Sequence, residues 1–145
     1  LGFGIMPKPL AVHVTRLMTN SNSCTASFIQ RAAQSALVQG ENDLRRMLAR
    51  LKDNRDFCLA ALRQVPGVTV PSPDGAFYVF PRIAGLTDSF ALCWRLLHET
   101  KVGIAPGVAF GAGGEGSLRI CYAAERAILE PAMDRLVRFL RTSWS

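Results

Sequence analysis

The sequence predicts a mixed α/β fold, because stretches with helical periodicity alternate with short apolar runs that are typical of strands. Of its 145 residues, 49% are hydrophobic, which is enough to bury a core. The first 65 residues are mostly helical in pattern, whereas most strand-like runs come later. We therefore expect helices first and an α+β region after them.

The first 40 residues are predicted to form a strand and two helices. An apolar strand over 1–6 precedes a helix over 8–18. The polar residues Thr19–Ser23 are expected to break this helix, since hydroxyl and amide side chains favour turns and caps. A second helix is predicted over 24–38, with Gly40 as its C-cap.

The longest predicted helix covers 41–65 and ends at Pro66-Gly67. At 1.5 Å per residue it would span roughly 35 Å, a length typical of a helix that bridges two bodies or forms a coiled coil. The polar pair Asn54-Arg55 interrupts its apolar stripe, which argues against a coiled coil.

The rest of the chain is predicted to supply the sheet and two more helices. Strands are expected over 68–70, 76–80, 102–105 and 118–122, and helices from Thr87 or Asp88 to Glu99 and over 130–141. In the first of these helices Phe90, Trp94 and Leu97 are expected to face inward. Pro131 is placed in the first turn of the last helix, which leaves 125–129 as a separate short turn.

Charge and hydropathy exclude two classes of partner. The net charge of +6 raises the question of nucleic-acid binding. However, no Lys/Arg run exceeds two residues, and basic residues alternate with acids along the helices, as in Glu41/Arg45 and Asp43/Arg46. No apolar run is long enough to span a bilayer. We therefore expect no nucleic-acid or membrane partner.

The cysteines do not form a metal-binding or redox pattern. They are widely spaced, each has apolar neighbours, and no C-x-x-C occurs. We expect buried free thiols in a reducing, cytoplasmic environment and no metal site. The four residues are Cys24, Cys58, Cys93 and Cys121.

One arginine in an apolar strand is the strongest functional signal. Arg119 is the single charge in the run Leu118–Tyr122, which follows a glycine-rich loop. Burying a guanidinium without an anion costs several kcal/mol, and its planar fork suits a carboxylate bound through two hydrogen bonds. We predict an anion-binding arginine at the edge of a cleft. Two alternatives are an arginine on the solvated face of an edge strand and an ion pair with Glu115 across the turn.

Four blocks of this sequence, in order and in register, resemble the class I/II aminotransferases. These are pyridoxal-phosphate (PLP) enzymes of fold type I. The blocks are Leu1–Gly4 with Pro7, Thr19–Asn22 with Gln30, P-D-G-A-F-Y at 73–78, and P-G-V-A-F-G with S-L-R-I-C-Y-A at 106–123. The resemblance implies an α/β fold with three parts: a remnant of the large PLP-binding domain over 1–40, a bridging helix over 41–65 and a small C-terminal domain over 66–145.

The same resemblance implies roles for four residues. Arg119 would bind the α-carboxylate of the substrate, and Phe77 would line the substrate pocket. Ser21 and Asn22 would lie in a loop at the interface of a homodimer and reach towards the partner subunit's cofactor. In the family a proline follows the asparagine, whereas this chain has Ser23. The implied substrates are an amino acid and a 2-oxo acid.

The residues that hold PLP in this family are not matched in the chain. Its lysines are Lys8, Lys52 and Lys101, and none has the S-x-x-K context of the Schiff-base lysine. That lysine, the phosphate-binding arginine and the ring-nitrogen aspartate would precede Leu1. We therefore expect the C-terminal part of a longer subunit, with no catalytic residue of its own and no transaminase activity alone.

Three other interpretations fit the same sequence. A related PLP-dependent lyase or decarboxylase would use the same arginine. A non-catalytic aminotransferase-like sensing domain of a transcription regulator would keep the fold without the lysine. A truncation product would expose apolar faces at 1–6 and 28–37 and aggregate.

Overall fold

A computed structural model describes residues 1–143, which form α-helices, short β-strands and two 3₁₀ turns. The helices are α1 (Lys8–Ser21), α2 (Ser27–Gln39), α3 (Glu41–Arg63), α4 (Ser89–Thr100) and α5 (Arg126–Ser143). The strands are β1 (Val68–Thr69), β2 (Tyr78–Val79), β3 (Arg82–Ile83), β4 (Ala105–Pro106) and β5 (Leu118–Cys121). The 3₁₀ turns are Gly107–Phe110 and Ala112–Gly114. No helix within residues 1–143 is long and apolar enough to cross a membrane.

The chain divides into two compact units, and the boundary falls within α3, between Met47 and Leu48. The first unit contains α1, α2 and the start of α3. The predicted C-cap of α2 is confirmed, since the N–H of Gly40 donates to the carbonyl of Ala36 at 2.9 Å. The predicted strand over 1–6 is wrong, because this segment is irregular and mostly exposed.

The predicted break at Thr19–Ser23 is wrong in its position, because α1 continues through Ser21. The side chains of Thr19, Asn20 and Ser21 donate to the carbonyls four residues earlier, at 2.8, 2.8 and 3.0 Å. Such local bonds let polar residues remain in a helix, although the same residue types also favour turns. The segment that leaves the helix begins at Asn22.

The second unit begins at Leu48 and holds both small sheets. In the first, β1 pairs antiparallel with β3, a strand that the sequence did not predict. In the second, β5 lies between β2 and β4 and is antiparallel to both. This places β5 in the middle of the sheet, where both of its edges are hydrogen-bonded.

The core of the second unit lies between its helices and sheets. Its fully buried side chains include Leu62 of α3, Val79 of β2, Leu96 of α4, Leu118 of β5 and Leu136 of α5.

The predicted inward face of α4 is wrong. Phe90, Trp94 and Leu97 are 63%, 58% and 44% exposed, whereas Leu92, Cys93 and Leu96 are buried. Both sets satisfy the spacing of a helical face, so the sequence pattern did not decide between them.

The last helix is longer than predicted and contains Pro131 in its interior. Proline in a helix removes one hydrogen bond and costs about 3 kcal/mol. The helix nevertheless continues, because buried residues on both sides of the proline share one face. They are Leu129, Met133, Leu136 and Leu140.

Two of the four cysteines contradict the prediction of buried thiols. Cys24 and Cys121 are exposed, whereas Cys58 and Cys93 are buried and free. Burial disfavours the thiolate and raises the pKa of both Cys58 and Cys93 to about 11. Cys121 is exposed because it alternates with the buried residue Ile120 along β5.

Candidate functional site

Arg119 lies on the central strand of the three-stranded sheet, directly opposite Ala105 of β4. Its neighbours Leu118 and Ile120 are buried, whereas Arg119 is half-buried and points to the other face. The alternative of an edge strand is therefore wrong. The strand order also brings side chains from two flanking elements within reach of the guanidinium.

Two aromatic rings contact the guanidinium of Arg119. Its Cζ lies 4.4 Å from the ring centre of Tyr78 and 4.1 Å from that of Phe110. The rings of Phe77 and Tyr78 are 4.6 Å apart, and those of Phe80 and Phe110 meet edge to face at 6.0 Å. These five residues form what we call the Arg119 cluster.

No acid neutralises Arg119 within residues 1–143. Its side chain makes two ring contacts, but no carboxylate or other oxygen of this range accepts a hydrogen bond from it. Cation–π contacts are worth about 0.5–2 kcal/mol and leave the N–H donors of the guanidinium unused. Such a guanidinium can therefore bind a carboxylate from outside the cluster.

The second alternative, an ion pair between Arg119 and Glu115, is also wrong. The Oε1 of Glu115 accepts hydrogen bonds from the N–H of Ser89 at 2.7 Å and of Gly116 at 2.9 Å. Its Oε2 accepts from the hydroxyl of Ser89 at 3.2 Å. The bond from Gly116, with those from Ser89, lowers the pKa of the Glu115 carboxyl against the opposing effect of desolvation.

The glycine-rich loop before β5 needs glycine at two contacting positions. A Cβ at Gly107 would lie 2.0 Å from the carbonyl oxygen of Gly114, and one at Gly114 would lie 2.1 Å from that of Gly107. No side chain fits at these distances. The N–H of Gly107 also donates to the carbonyl of Ser117 at 2.9 Å. The two arms of the loop are thus held together, and the turn that carries Phe110 begins directly beside β5.

The structure brings two of the four predicted site residues into one cluster. Phe77 is 40% exposed and joins Arg119 through the ring of Tyr78. Ser21 and Asn22 lie in the first unit, at the end of α1, and both are exposed. Ser21 belongs to the helix and not to the loop in which it was predicted.

Three aromatic members of the cluster were not predicted from the sequence: Tyr78 and Phe110, which contact Arg119, and Phe80, which contacts Phe110. Tyr78 and Phe80 were predicted only as part of the strand over 76–80. The signal in the sequence was the aromatic run 77–80, because a guanidinium is attracted to the face of an aromatic ring. The strand order β2-β5-β4 places Tyr78 beside Arg119, and the 3₁₀ turn after β4 supplies Phe110.

The three lysines of the chain are exposed and are not members of the Arg119 cluster. Lys8 and Lys52 are exposed on α1 and α3. Lys101 is exposed at the end of α4, where its Nζ donates to the carbonyl of His98 at 2.9 Å. Among residues 1–143, no lysine makes a hydrogen bond, ion pair or ring contact with a member of the Arg119 cluster.

Comparison with known proteins identifies the family. The model of the family described as aminotransferase class I and II matches residues 1–136. The chain is 36% identical over 143 residues to an aspartate aminotransferase of Pyrococcus horikoshii. It is also 36% identical over 148 residues to aromatic-amino-acid aminotransferase 2 of Thermococcus litoralis. Each alignment covers 97% of this chain and 37% of the relative, so the chain spans a little over a third of these relatives.

Solved structures agree with the sequence relatives. The crystal structure of an aromatic aminotransferase from Pyrococcus horikoshii superposes with a TM-score of 0.85 at 32% identity, covering 95% of this chain and 38% of the other. That of an aspartate aminotransferase from Thermotoga maritima gives 0.79 at 33% identity, covering 92% and 34%. The predicted α/β architecture of fold type I is confirmed. The chain belongs to the aminotransferase class I and II family.

Proposed function

We propose that this chain is the C-terminal part of a PLP-dependent aminotransferase in which Arg119 binds the α-carboxylate of the substrate. The reaction would transfer the amino group of an amino acid to a 2-oxo acid. The observation that carries the proposal is the half-buried guanidinium of Arg119, which has ring contacts but no acid within residues 1–143. The aminotransferase names of the relatives support the reaction class.

The surroundings of Arg119 favour a carboxylate over other ligands. A planar guanidinium offers parallel N–H donors that match the two oxygens of a carboxylate. The rings of Tyr78 and Phe110 exclude water from part of its surface, which strengthens an ionic hydrogen bond. Phe77 adds an exposed apolar surface that can contact the rest of the substrate. A substrate held in this way has its α-carbon fixed in position, which is catalysis by positioning.

The cofactor would be held by another part of the subunit. PLP, when bound, supplies an electron sink and needs a lysine for its covalent attachment. The three lysines of this chain are exposed and lie outside the Arg119 cluster, so they do not fit that role. We propose that this chain contributes substrate recognition and has no transaminase activity alone.

The remaining parts of the proposal concern the assembly. The complete enzyme would be a cytoplasmic homodimer with the three parts 1–40, 41–65 and 66–145. Ser21 and Asn22 would face the partner subunit's cofactor. Their exposure at the end of α1 is compatible with this contact.

The role of Arg119 is tested with Arg119→Lys in the complete gene product that contains this sequence. Lysine offers a point charge in place of a two-pronged donor, so kcat/KM for amino-acid substrates should fall and KM should rise. The corresponding loss of transition-state stabilisation should be about 2–5 kcal/mol. Steady-state kinetics over a panel of amino acids measures this loss.

The matched control is Arg126→Lys. Arg126 also lies over a ring, that of Phe57 at 3.8 Å, but it is paired with Glu130 at 2.6 Å. This control should leave kcat/KM nearly unchanged. An unchanged kcat/KM of the Arg119→Lys enzyme with every amino acid would refute the proposed role.

A further inference from the structure

The hydroxyl of Ser89 joins three segments of the second unit. Ser89 is the first residue of α4 and is fully buried. Its Oγ donates to Oε2 of Glu115, in the turn before β5, and accepts from the N–H of Val108. Both distances are 3.2 Å. One buried side chain therefore connects a helix, the turn before Arg119 and the 3₁₀ turn Gly107–Phe110.

Glu115 joins the turn before β5 to the start of α4, although this helix also has a side-chain cap of its own. The N-cap of α4 is Asp88, whose Oδ1 accepts from the N–H of Ala91 at 2.8 Å. The two bonds of Glu115 to Ser89 tie the turn before β5 to the helix, and the bond from the N–H of Gly116 holds the carboxylate within that turn.

Phe110 depends on the backbone of its turn for its position. Its side chain is 46% exposed, so the core does not enclose it. Its ring contacts Phe80 and Arg119, and its backbone lies two residues after Val108 in the same 3₁₀ turn. A change in the bond between Ser89 and Val108 would therefore move the ring relative to the guanidinium.

We infer that Ser89 and Glu115 are positioning residues for the Arg119 site. They hold the turn Gly107–Phe110 so that the ring of Phe110 lies against Arg119, and the guanidinium donors then face an incoming carboxylate. The expected effect of Ser89 and Glu115 on substrate binding rests on the proposed function of Arg119. The packing of Phe110 against Arg119 can be tested separately.

The first experiment measures this packing in the 145-residue chain by NMR, with ¹⁵N-labelled arginine. The Nε–H resonance of Arg119, assigned by its loss in Arg119→Lys, is shifted by ring currents from Phe110 and Tyr78. Phe110→Leu gives the full contribution of Phe110 to that shift. Ser89→Ala removes the acceptor of the Val108 N–H, and should move the resonance in the same direction as Phe110→Leu.

Two further variants make the result decisive. Glu115→Ala removes both oxygens that accept hydrogen bonds from Ser89, and should produce the same change if Ser89→Ala does not fold. Asp88→Asn is the matched control, because it also removes a carboxylate at the start of α4 but contacts the helix alone. The control should leave the Arg119 resonance in place.

The second experiment measures kinetics in the complete gene product. Ser89→Ala should raise KM for the amino acid about three- to tenfold, the effect of one lost hydrogen bond, and change kcat much less. Asp88→Asn should change neither constant.

The outcomes separate the inference from the proposed function. If the Arg119 resonance moves in Phe110→Leu but stays in both Ser89→Ala and Glu115→Ala, the positioning role is refuted. It is also refuted if Phe110→Leu has no effect. If the resonance moves as expected but Arg119→Lys leaves KM unchanged, the positioning of Phe110 stands and the carboxylate-binding function fails.

Discussion

The guanidinium of Arg119 is surrounded by aromatic rings and has no acid within residues 1–143. Arg126 provides the contrast, since its guanidinium lies over Phe57 and also pairs with Glu130. Both arginines gain about 0.5–2 kcal/mol from a ring, but only Arg126 has its charge neutralised. Because of this difference we propose ligand binding for Arg119 and a structural role for Arg126.

The exposure of the four cysteines predicts the order in which they are alkylated. Alkylation of the native chain with iodoacetamide at mildly alkaline pH should label the exposed residues Cys24 and Cys121 first. Cys58 and Cys93 are buried, and their pKa of about 11 leaves roughly a hundredfold less thiolate than an ordinary cysteine has. Peptide mapping by mass spectrometry measures the four rates. Equal rates at Cys58 and Cys121 in the native chain would contradict the structure, whereas equal rates in denaturant are expected.

At the residue scale the sequence was sufficient to select Arg119 but not its partners. A lone charge in an apolar strand is visible in the sequence, and so is the aromatic run that contains Phe77. The contacts with Tyr78 and Phe110 depend on strand pairing, which the sequence of a single strand does not specify. The ion pair with Glu115 looked plausible because the bonds of Glu115 to distant Ser89 could not be foreseen.

Among the elements, α3 is joined to the end of β5 by one buried side chain. Asn54 was taken as part of a polar interruption in the helix. Its Nδ2 in fact donates to the carbonyls of Tyr122 and Ala124, at 3.0 and 2.9 Å. The segment after the strand that carries Arg119 is thereby fixed to the helix.

Asn54→Leu should destabilise the chain by about 2–4 kcal/mol, because two carbonyls lose their donor in a buried place. Asn54→Asp should have a similar effect, since a carboxylate donates nothing and adds a buried charge. Urea denaturation followed by circular dichroism measures the free energy of unfolding. The control Asn20→Leu makes the same exchange on the exposed surface of α1 and should cost far less. Equal costs at both positions would contradict the role of Asn54.

Helix positions were predictable from the sequence, but several boundaries were not. The centres of all five helices follow from apolar periodicity. The end of α1 was missed because its polar residues bond to the preceding turn, and the start of α5 was missed because packing overcomes the cost of Pro131. Intrinsic helix propensity is a weak guide to helix boundaries where tertiary contacts determine them.

The two units of the chain differ in how far their side chains are buried. The first unit, Leu1–Met47, contains no buried side chain, whereas the second holds the hydrophobic core and the Arg119 cluster. Large apolar side chains such as Phe3, Phe28 and Leu37 are exposed in the first unit. The chain also spans only a little over a third of its relatives. The predicted three-part division at 40 and 65 remains a prediction.

The proposal that the cofactor lysine lies elsewhere leads to a prediction for the whole chain. Titration of the 145-residue chain with PLP, followed by borohydride reduction and intact-mass analysis, should give no stoichiometric adduct, because Lys8, Lys52 and Lys101 are exposed and lie outside the cluster. Low-level modification spread over several lysines is the expected background. A single-site adduct at one lysine, with a spectral shift on adding an amino acid, would contradict the proposal.

The central claim is that Arg119 recognises a carboxylate, and one comparison tests it most directly. Inhibition constants of a carboxylate and of its neutral carboxamide, such as phenylpropanoate and phenylpropanamide, are measured in the complete enzyme with and without Arg119→Lys. We predict that the native enzyme prefers the carboxylate, and that the substitution removes most of this preference while binding of the amide changes little. A preference that persists in the Arg119→Lys enzyme, or an equal loss for both inhibitors, would contradict the account.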